Sequence, residues 1–499
     1  LKSRSALTRM LDCIVHRGPN SAGIHIDGPL AMGMRRLSII DLSGGDQPIS
    51  NASGTIWTVS NGEIYNFREV RSELQQRGYR FRTESDTEVI VHAYEHWGES
   101  FVDHLEGMFG TALWDKRQQK LLLLRDRLGI KPLYYAPIEP GLAFGSEMKS
   151  IFAGGFIDPK VDEMAFENYL AFGFATAPRT IAKGVSKLAP GEMLVWKNGR
   201  SKLHKYWKLS GKTRSSPATV EQTFSELQNA VTSHLVSDVP LGAFLSGGVD
   251  SSGIVGIMDD SITEPINTYA IGYKGNSVAD YYNELPFAAE VAQTYGTRHR
   301  EIAVQPNVID LLPKLMWHLE EPISDTATMT TFLVSKMAKE TVTVIMSGVG
   351  GDELFAGYRR YLGDYYGEKY AKIPHWLRSA LVEPLVGLLP SGRANRLQDL
   401  GRYAKEFVAT AGLTWAERYT GYMSISDAAR VEALTGLHTH ASQDFLNVCN
   451  QVESSDPLTQ LMAVDLQTQL PEALLLLSDK MTMACSIECR VPFLHHPLV

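Results

Sequence analysis

Leu241-Gly242-Ala243-Phe244-Leu245-Ser246-Gly247-Gly248-Val249-Asp250-Ser251-Ser252 is the stretch on which the fold turns. Leu241 to Leu245 is a short apolar run, suited to a buried strand of a parallel sheet. Two adjacent glycines follow, and glycine permits positive φ and close approach of backbone N–H groups to an anion. Ser251 and Ser252 are placed to cap a helix that continues through Ile254, Val255, Ile257 and Met258. An anion at such a helix start meets free N–H groups and the positive end of the dipole. Asp250 would repel that anion unless Mg²⁺ sat between them. The stretch therefore reads as a pyrophosphate cradle with a metal-binding aspartate. The plainer alternative is a glycine turn in an ordinary strand–helix unit.

The turn lacks the Gly-Lys-Ser/Thr ending of a Walker loop. It resembles instead the Ser-Gly-Gly-x-Asp-Ser loop of ATP pyrophosphatases, which cut ATP to AMP and pyrophosphate. A second glycine turn supports this. Val342 to Met346 reads as a buried strand and runs into Ser347-Gly348-Val349-Gly350-Gly351-Asp352-Glu353. Ligands of open α/β sheets bind at the carboxyl ends of strands. Asp250 and Asp352 would then converge on one Mg²⁺–pyrophosphate. Around them a helix over 220–235, a strand over 266–271 and a helix bearing Phe287, Val291 and Tyr295 alternate as in a parallel α/β domain.

The first 207 residues read differently. Short strands over 55–60, 111–114, 121–125, 133–136 and 142–145 alternate with turns, and short helices are expected over 66–77 and 87–97. Two packed sheets with helices outside are the expectation. Asn61-Gly62-Glu63 follows the first strand, and an Asn carboxamide beside a glycine N–H makes a ready oxyanion hole. Arg36, before Leu37-Ser38-Ile39-Ile40-Asp41, offers a fork for a carboxylate, or else a surface ion pair. Asp86 precedes a helix, where a plain N-cap is the commoner role. Between the halves, 208–217 is polar and non-periodic, an interdomain linker separating residues 1–207 from 218–499.

His16-Arg17-Gly18-Pro19, Arg36-Leu37-Ser38-Ile39-Ile40-Asp41, Asn61-Gly62-Glu63-Ile64-Tyr65-Asn66, Ser85-Asp86-Thr87-Glu88 and 125–135 occur in that order. Together they resemble the class II glutamine amidotransferase domain of glutamine-hydrolysing asparagine synthetases. Asp479-Lys480-Met481-Thr482-Met483-Ala484 and Arg490-Val491-Pro492-Phe493-Leu494-His495 resemble motifs of the synthetase domain of that family. The resemblance implies an αββα sandwich of Ntn type, then a parallel-sheet α/β ATP-pyrophosphatase domain. It implies glutamine bound by Arg36 and Asp86, with Leu37, Ser38, Ile39, Ile40 and Glu63 in the same wall, and Asn61 and Gly62 as the oxyanion hole. Ammonia would cross an internal channel to a carboxylate, classically that of aspartate, adenylated by ATP. Pyrophosphate would leave onto Ser246, Gly247, Gly248 and Ser251, with Mg²⁺ on Asp250 and Asp352. Phe244 and Ile271 would border the nucleotide, Ser347, Gly348 and Gly350 would lie near it, and Lys480 would neutralise its phosphates. Position alone makes Lys480 a surface lysine.

In the family the nucleophile is a Cys at the mature N-terminus, whose own amine is the base. It is expected upstream of Leu1, since Cys13 lacks the free amine, and the chain reads as a fragment at both ends. Three residues depart from the family pattern. Asn20 and His495 each replace an Asp. Val349 replaces an acidic residue credited with proton removal, which valine cannot perform. Relatives of this architecture amidate other carboxylates, such as sugar acids of polysaccharide pathways, and some close β-lactam rings. A non-catalytic protein that kept the fold is the third reading.

Composition sets outer bounds. A chain of 499 residues is too long for one core. Its 44% hydrophobic and 21% charged content is ordinary for a globular protein. The formal net charge of −8, with no basic run, argues against a nucleic-acid partner. No apolar run approaches membrane-spanning length. Cys13, Cys449, Cys485 and Cys489 fit no common zinc or disulfide spacing and read as reduced, buried thiols of a cytoplasmic protein. The expected partners are small molecules (glutamine, ATP and the acceptor), with a homodimer left open.

Overall fold

The computed structural model describes residues 2–139, 141–209, 218–273, 283–304, 308–392, 396–410, 412–436, 440–454 and 456–499. Most of the expected linker, 210–217, lies outside the described residues.

The N-terminal part is antiparallel. A six-stranded sheet has the order β11 (Arg200–Lys205), β10 (Glu192–Lys197), β6 (Lys120–Arg125), β5 (Gly107–Asp115), β4 (Ile56–Ile64), β3 (Ile49–Ser50). The period of two decides its two faces. Phe109, Leu113, Leu122 and Leu124 point to helices α1 (Phe67–Gln76) and α2 (Glu88–Trp97). Their neighbours Ala112, Trp114, Leu121 and Leu123 point the other way, onto the hairpin β1 (Ser21–Asp27) and β2 (Leu30–Arg36) through Leu30 and Met32. A three-stranded sheet, β8 (Gly141–Gly145), β7 (Tyr134–Ile138), β9 (Ser186–Lys187), packs under helix α3 (Met148–Gly154) through Tyr134, Ala136 and Ile151. Helices thus cover both sides of stacked antiparallel sheets, as expected.

The first strand is longer than its apolar run. Pairing with β5 continues from Ile56↔Asp115 to Ile64↔Gly107, so Asn61-Gly62-Glu63 lie within β4 rather than after it. Gly62 makes this possible. Its φ is +132°, and a Cβ there would lie 1.9 Å from the Met108 carbonyl oxygen.

The C-terminal sheet is wholly parallel, in the order β14 (Arg298–Val304), β13 (Asn267–Tyr273), β12 (Leu241–Phe244), β15 (Val344–Met346), β16 (Glu488–Arg490). The chain leaves β12 to build β13 on one side and returns to build β15 on the other. The two glycine turns therefore open side by side at a switch in strand order, where such sheets bind ligands. Helix α4 (Val249–Ser261) follows β12, buried through Ile254, Val255, Ile257 and Met258. Its N-cap is Gly248 with no side-chain cap, so Ser251 and Ser252 lie in the first turn instead of capping it. Two adjacent glycines let the helix begin three residues earlier than a Ser251 cap would place it.

The two parts share a core. Tyr65, Met108, Leu128 and Ile130 of the first pack with Val334, Ile345, Leu470, Ile487 and Leu494 of the second. Each fully buried side chain of this kind contributes about 1.5–3 kcal/mol. All four cysteines are free, with Cys449 and Cys489 buried and Cys13 and Cys485 half-buried. Among the described residues no helix is long and apolar enough to cross a membrane.

Candidate active site

Two cavities carry the residues singled out above. The smaller, of about 60 Å³, is lined by Arg36, Leu37, Ile39, Ile40, Asn61, Gly62, Glu63 and Asp86. Ser38 is absent from this lining; its N–H donates to Asn20 Oδ1 at 3.1 Å. Asn20, the departure from the family pattern, thus retains a carbonyl acceptor that fixes the loop after β2. Arg36 is buried and held from behind. Its Nη2 donates to the carbonyls of Ile40 (2.9 Å) and Asp41 (2.7 Å), and Nη1 to Asp46 Oδ1 (3.3 Å). Asp86 is not an N-cap. Helix α2 starts from Thr87 without a side-chain cap, and Asp86 Oδ2 accepts from the Ile64 N–H at 2.9 Å. Burial raises the Asp86 carboxyl above its ordinary range. Asn61 Nδ2 is buried and meets no hydrogen-bond partner among the described residues. An unpaired amide donor is costly, and Asn61 lines this cavity, where an oxyanion-hole donor would stand.

Sequence reasoning missed further members of this wall. Gln47, Glu488 and Met483 line the same cavity, the last two from the C-terminal part. Arg490, also missed as a single residue, is fully buried behind them. Its Nε donates to Glu488 Oε1 (2.9 Å), its Nη1 donates to the carbonyls of His234 (2.6 Å) and Val236 (2.7 Å), and Nη2 lies 3.6 Å from Glu63. Burial, then Asp86 and Glu488, push the Glu63 carboxyl well up, against the pull of Arg490. The one available signal was a charged pair, Glu488 and Arg490, flanking Cys489 in an apolar frame.

The larger cavity, of about 750 Å³, lies over the carboxyl ends of β12 and β15. Phe244, Ser246, Gly248, Asp250, Ser251, Ile271, Ser347, Gly348 and Asp352 line it. Gly247 and Gly350 do not; they shape its turns. Gly247 has φ +79°, and a Cβ there would meet the Phe287 backbone at 2.5 Å. Gly350 has φ +100°, and a Cβ there would meet Leu494 at 2.5 Å. The serines close the first loop on itself: Ser246 N–H donates to Ser251 Oγ (3.2 Å) and Gly248 N–H to Ser246 Oγ (3.2 Å). The second loop packs on the first, since a Cβ on Gly351 would lie 2.5 Å from the Asp250 carboxylate carbon. Val349, Thr330, Thr331, Glu284 and Ser478 are also in the wall.

Burial, and then the charge of Asp352, raise the Asp250 carboxyl. No Lys, Arg or His is among the described residues lining this cavity. Paired carboxylates in a wall without cations suit a divalent ion, and hard oxygen ligands suit Mg²⁺. No third metal-ligating side chain joins them among the described residues. The remaining positions would fall to phosphate oxygens and water, as is usual for Mg²⁺ in nucleotide sites.

Lys480 departs from expectation. It does not line the larger cavity. It is 1% exposed, and its Nζ is ion-paired with Glu320 and lies 3.9 Å from Glu147. The reason is the packing of helix α5 (Leu475–Met483) against the N-terminal part, which turns Asp479 and Lys480 toward partners distant in sequence. His495 also sits between the two parts, with Nε2 3.2 Å from Glu106.

Residues 1–207 match the glutamine amidotransferase domain family, and residues 223–499 match the asparagine synthase family. Asparagine synthetase [glutamine-hydrolyzing] 1 of Bacillus subtilis is 34% identical over 98% of this chain and 76% of its own length. A putative asparagine synthetase [glutamine-hydrolyzing] of Mycobacterium tuberculosis is 32% identical over 98% and 76%. Amidase chyE of Penicillium rubens is 33% identical over 72% of this chain and 56% of its own. The chain therefore belongs to the glutamine-hydrolysing asparagine synthetase family, an asparagine-synthase-type ligase with a glutamine amidotransferase domain.

Proposed function

We propose that the chain uses ATP and glutamine-derived ammonia to convert aspartate to asparagine through an acyl-adenylate, releasing AMP and pyrophosphate. The observation that carries this is the pair Asp250 and Asp352, brought into one cavity by two glycine turns on neighbouring parallel strands.

An aspartate carboxylate oxygen attacks the α-phosphorus of ATP; the bond to the bridging oxygen breaks and pyrophosphate leaves. The backbone N–H groups at the start of α4 suit the leaving phosphates, because the first turn of a helix offers unpaired donors. Asp250 and Asp352 would hold Mg²⁺, which when bound offsets phosphate charge. Ammonia then attacks the acyl carbon, the carbon–oxygen bond breaks, and AMP departs with that oxygen. In the smaller cavity, Arg36 and Asp86 would hold the glutamine α-carboxylate and α-amine, Asn61 and Gly62 the developing oxyanion, and Glu63 part of the wall. Phe244 and Ile271 would flank the nucleotide, with Ser347 and Gly348 near its AMP portion. Lys480 is assigned no contact with phosphate, in keeping with its carboxylate partners.

The test is AMP and pyrophosphate release with ATP, Mg²⁺ and ammonium, with and without aspartate. Ammonium bypasses glutamine hydrolysis. Release stimulated by aspartate, with asparagine formed, is expected. ATP binding without any response to aspartate would move the acceptor to another carboxylate, a result that Val349 makes worth looking for.

A further inference from the structure

Asp352 and Glu353 are neighbours in the chain that face opposite ways. Asp352 lines the larger cavity. Glu353 does not, and it is 2% exposed. Both lie on a helix of five residues, Gly351–Phe355, whose N-cap Gly350 supplies no side-chain bond. So short a helix does not hold itself together, because nucleation is the costly step. The direction of Asp352 is therefore set from outside the helix.

The segment that follows sets it. Ala356 ends the helix at φ +58°, in the left-handed region, and turns the chain back on Asp352. The Gly357 N–H donates to the Asp352 carbonyl at 2.9 Å. The Asp352 carboxylate lies against Gly357, where a Cβ would be 1.8 Å from its Oδ1. The Tyr358 hydroxyl donates to Glu353 Oε1 and closes the turn a second time, on its buried side. Tyr358 is itself anchored, with the Arg360 guanidinium 3.9 Å over its ring. Arg360 donates to Asp465 Oδ2 (2.7 and 3.2 Å), Gln469 Oε1 (2.6 Å) and the Tyr419 hydroxyl (3.1 Å). Asp465, buried on the helix Pro457–Gln467, also accepts from the Tyr361 hydroxyl.

On the cavity side, the Asp250 carboxylate presses on Gly351, one residue before Asp352. Two carboxylates this close repel each other until a cation joins them. We propose that the Tyr358–Glu353 hydrogen bond is a latch that keeps Asp352 beside Asp250, so that both are aimed at one divalent cation. Tyr358 and Glu353 are positioning residues, and neither lines the cavity. The inference rests on the reading that the Asp250–Asp352 pair holds Mg²⁺. Groups that hold a metal ligand from behind are typically worth about 10–100-fold in metal affinity.

The test separates metal binding from turnover. Mn²⁺ binding is followed by electron paramagnetic resonance in the presence of α,β-methylene-ATP, which cannot release pyrophosphate. AMP release from ATP with ammonium and aspartate gives the Mg²⁺ concentration at half rate. Tyr358→Phe keeps the ring under Arg360 and deletes only the hydroxyl. It should weaken Mn²⁺ binding about 10-fold or more, raise the half-saturating Mg²⁺ by the same factor, and leave the rate at saturating Mg²⁺ unchanged. Glu353→Met should do the same. Glu353→Gln keeps an oxygen for the Tyr358 hydroxyl and should bind Mn²⁺ as the wild type does. These two carry the test if Tyr358→Phe does not fold. Tyr361→Phe is the control: it loses a bond to Asp465, one step further from Asp352, and should lower the melting temperature while metal affinity stays intact. Unchanged Mn²⁺ affinity in Tyr358→Phe or Glu353→Met, equal weakening in Tyr361→Phe or Glu353→Gln, or a loss confined to the rate at saturating Mg²⁺ would overturn the inference. A wild type that takes up the analogue without Mn²⁺ would overturn the reading of the carboxylate pair as well, so the two failures are distinguishable.

Discussion

In the smaller cavity, proposed for glutamine, Arg36 and Asp86 are held by the protein itself, whereas in the larger one, proposed for ATP, Asp250 and Asp352 face each other's charge. Arg36 is held by two carbonyls and Asp46, and Asp86 by the Ile64 N–H. The larger cavity is walled by glycine backbone, hydroxyls and the paired carboxylates of Asp250 and Asp352, with no cation among its described lining residues. On the proposed reading the first would recognise a small zwitterion by fixed side-chain geometry, where preorganisation supplies the selectivity. On the same reading the second would take a polyanion through backbone donors and an ion that arrives with it.

That contrast can be broken at several points. The largest effect is expected from Asp352→Asn, which removes half of the carboxylate pair. AMP release with ammonium should fall by at least about 100-fold, beyond the loss typical of a group that only supports a metal ligand, while glutamine affinity stays unchanged. An equal loss of glutamine binding would erase the distinction between the cavities. Next is Gly62→Ala. A Cβ colliding with the Met108 carbonyl at positive φ should cost about 1–3 kcal/mol of stability, read as a lower melting temperature, and abolish glutamine binding. Arg36→Gln should weaken glutamine binding about 10-fold or more, the equivalent of one charge-assisted contact, with ATP binding untouched.

The smallest effect concerns the frame beneath Asp86. Burial would raise the Glu88 carboxyl, but His92, Thr83 and the N–H groups of Arg82 and Thr83 hold it down to about 2. A depressed folded value gives stability that is complete above the unfolded value of 4.5 and is lost as the pH falls from there toward 2. Glu88→Gln should lower the melting temperature at pH 7 and flatten its acid dependence. A wild type whose stability does not change between pH 5 and pH 3 would show the frame to be less organised than its hydrogen bonds indicate.

The nucleotide cavity was the more legible of the two in the amino-acid sequence. Ser246 to Ser251 and Ser347 to Asp352 are each a local strand–turn–helix, so residue type and spacing nearly suffice. Even there the helix start was misplaced, because Gly248 begins α4 without help from Ser251. The glutamine wall was visible only in fragments. Asn61 and Gly62 stand out as a pair, but their place inside β4 depends on pairing with β5 some 50 residues away. Lys480 shows the limit: a lysine after an aspartate reads alike whether it meets phosphate or, as here, Glu320 and Glu147. Arg17 and Asp479 build the joint between the parts from separate stretches of chain, and nothing local marks them as neighbours. Such buried pairs stabilise little in sum, but losing one partner costs about 3–5 kcal/mol, so they fix how the two parts meet.

The acyl-adenylate is the central claim, and the fate of one oxygen tests it most directly. Aspartate labelled with ¹⁸O in its side-chain carboxylate is supplied with ATP, Mg²⁺ and ammonium, and the products are weighed by mass spectrometry. The account predicts one ¹⁸O in AMP, none in pyrophosphate, and asparagine retaining the other. Label in inorganic phosphate with formation of ADP, or unlabelled AMP alongside asparagine, would contradict it.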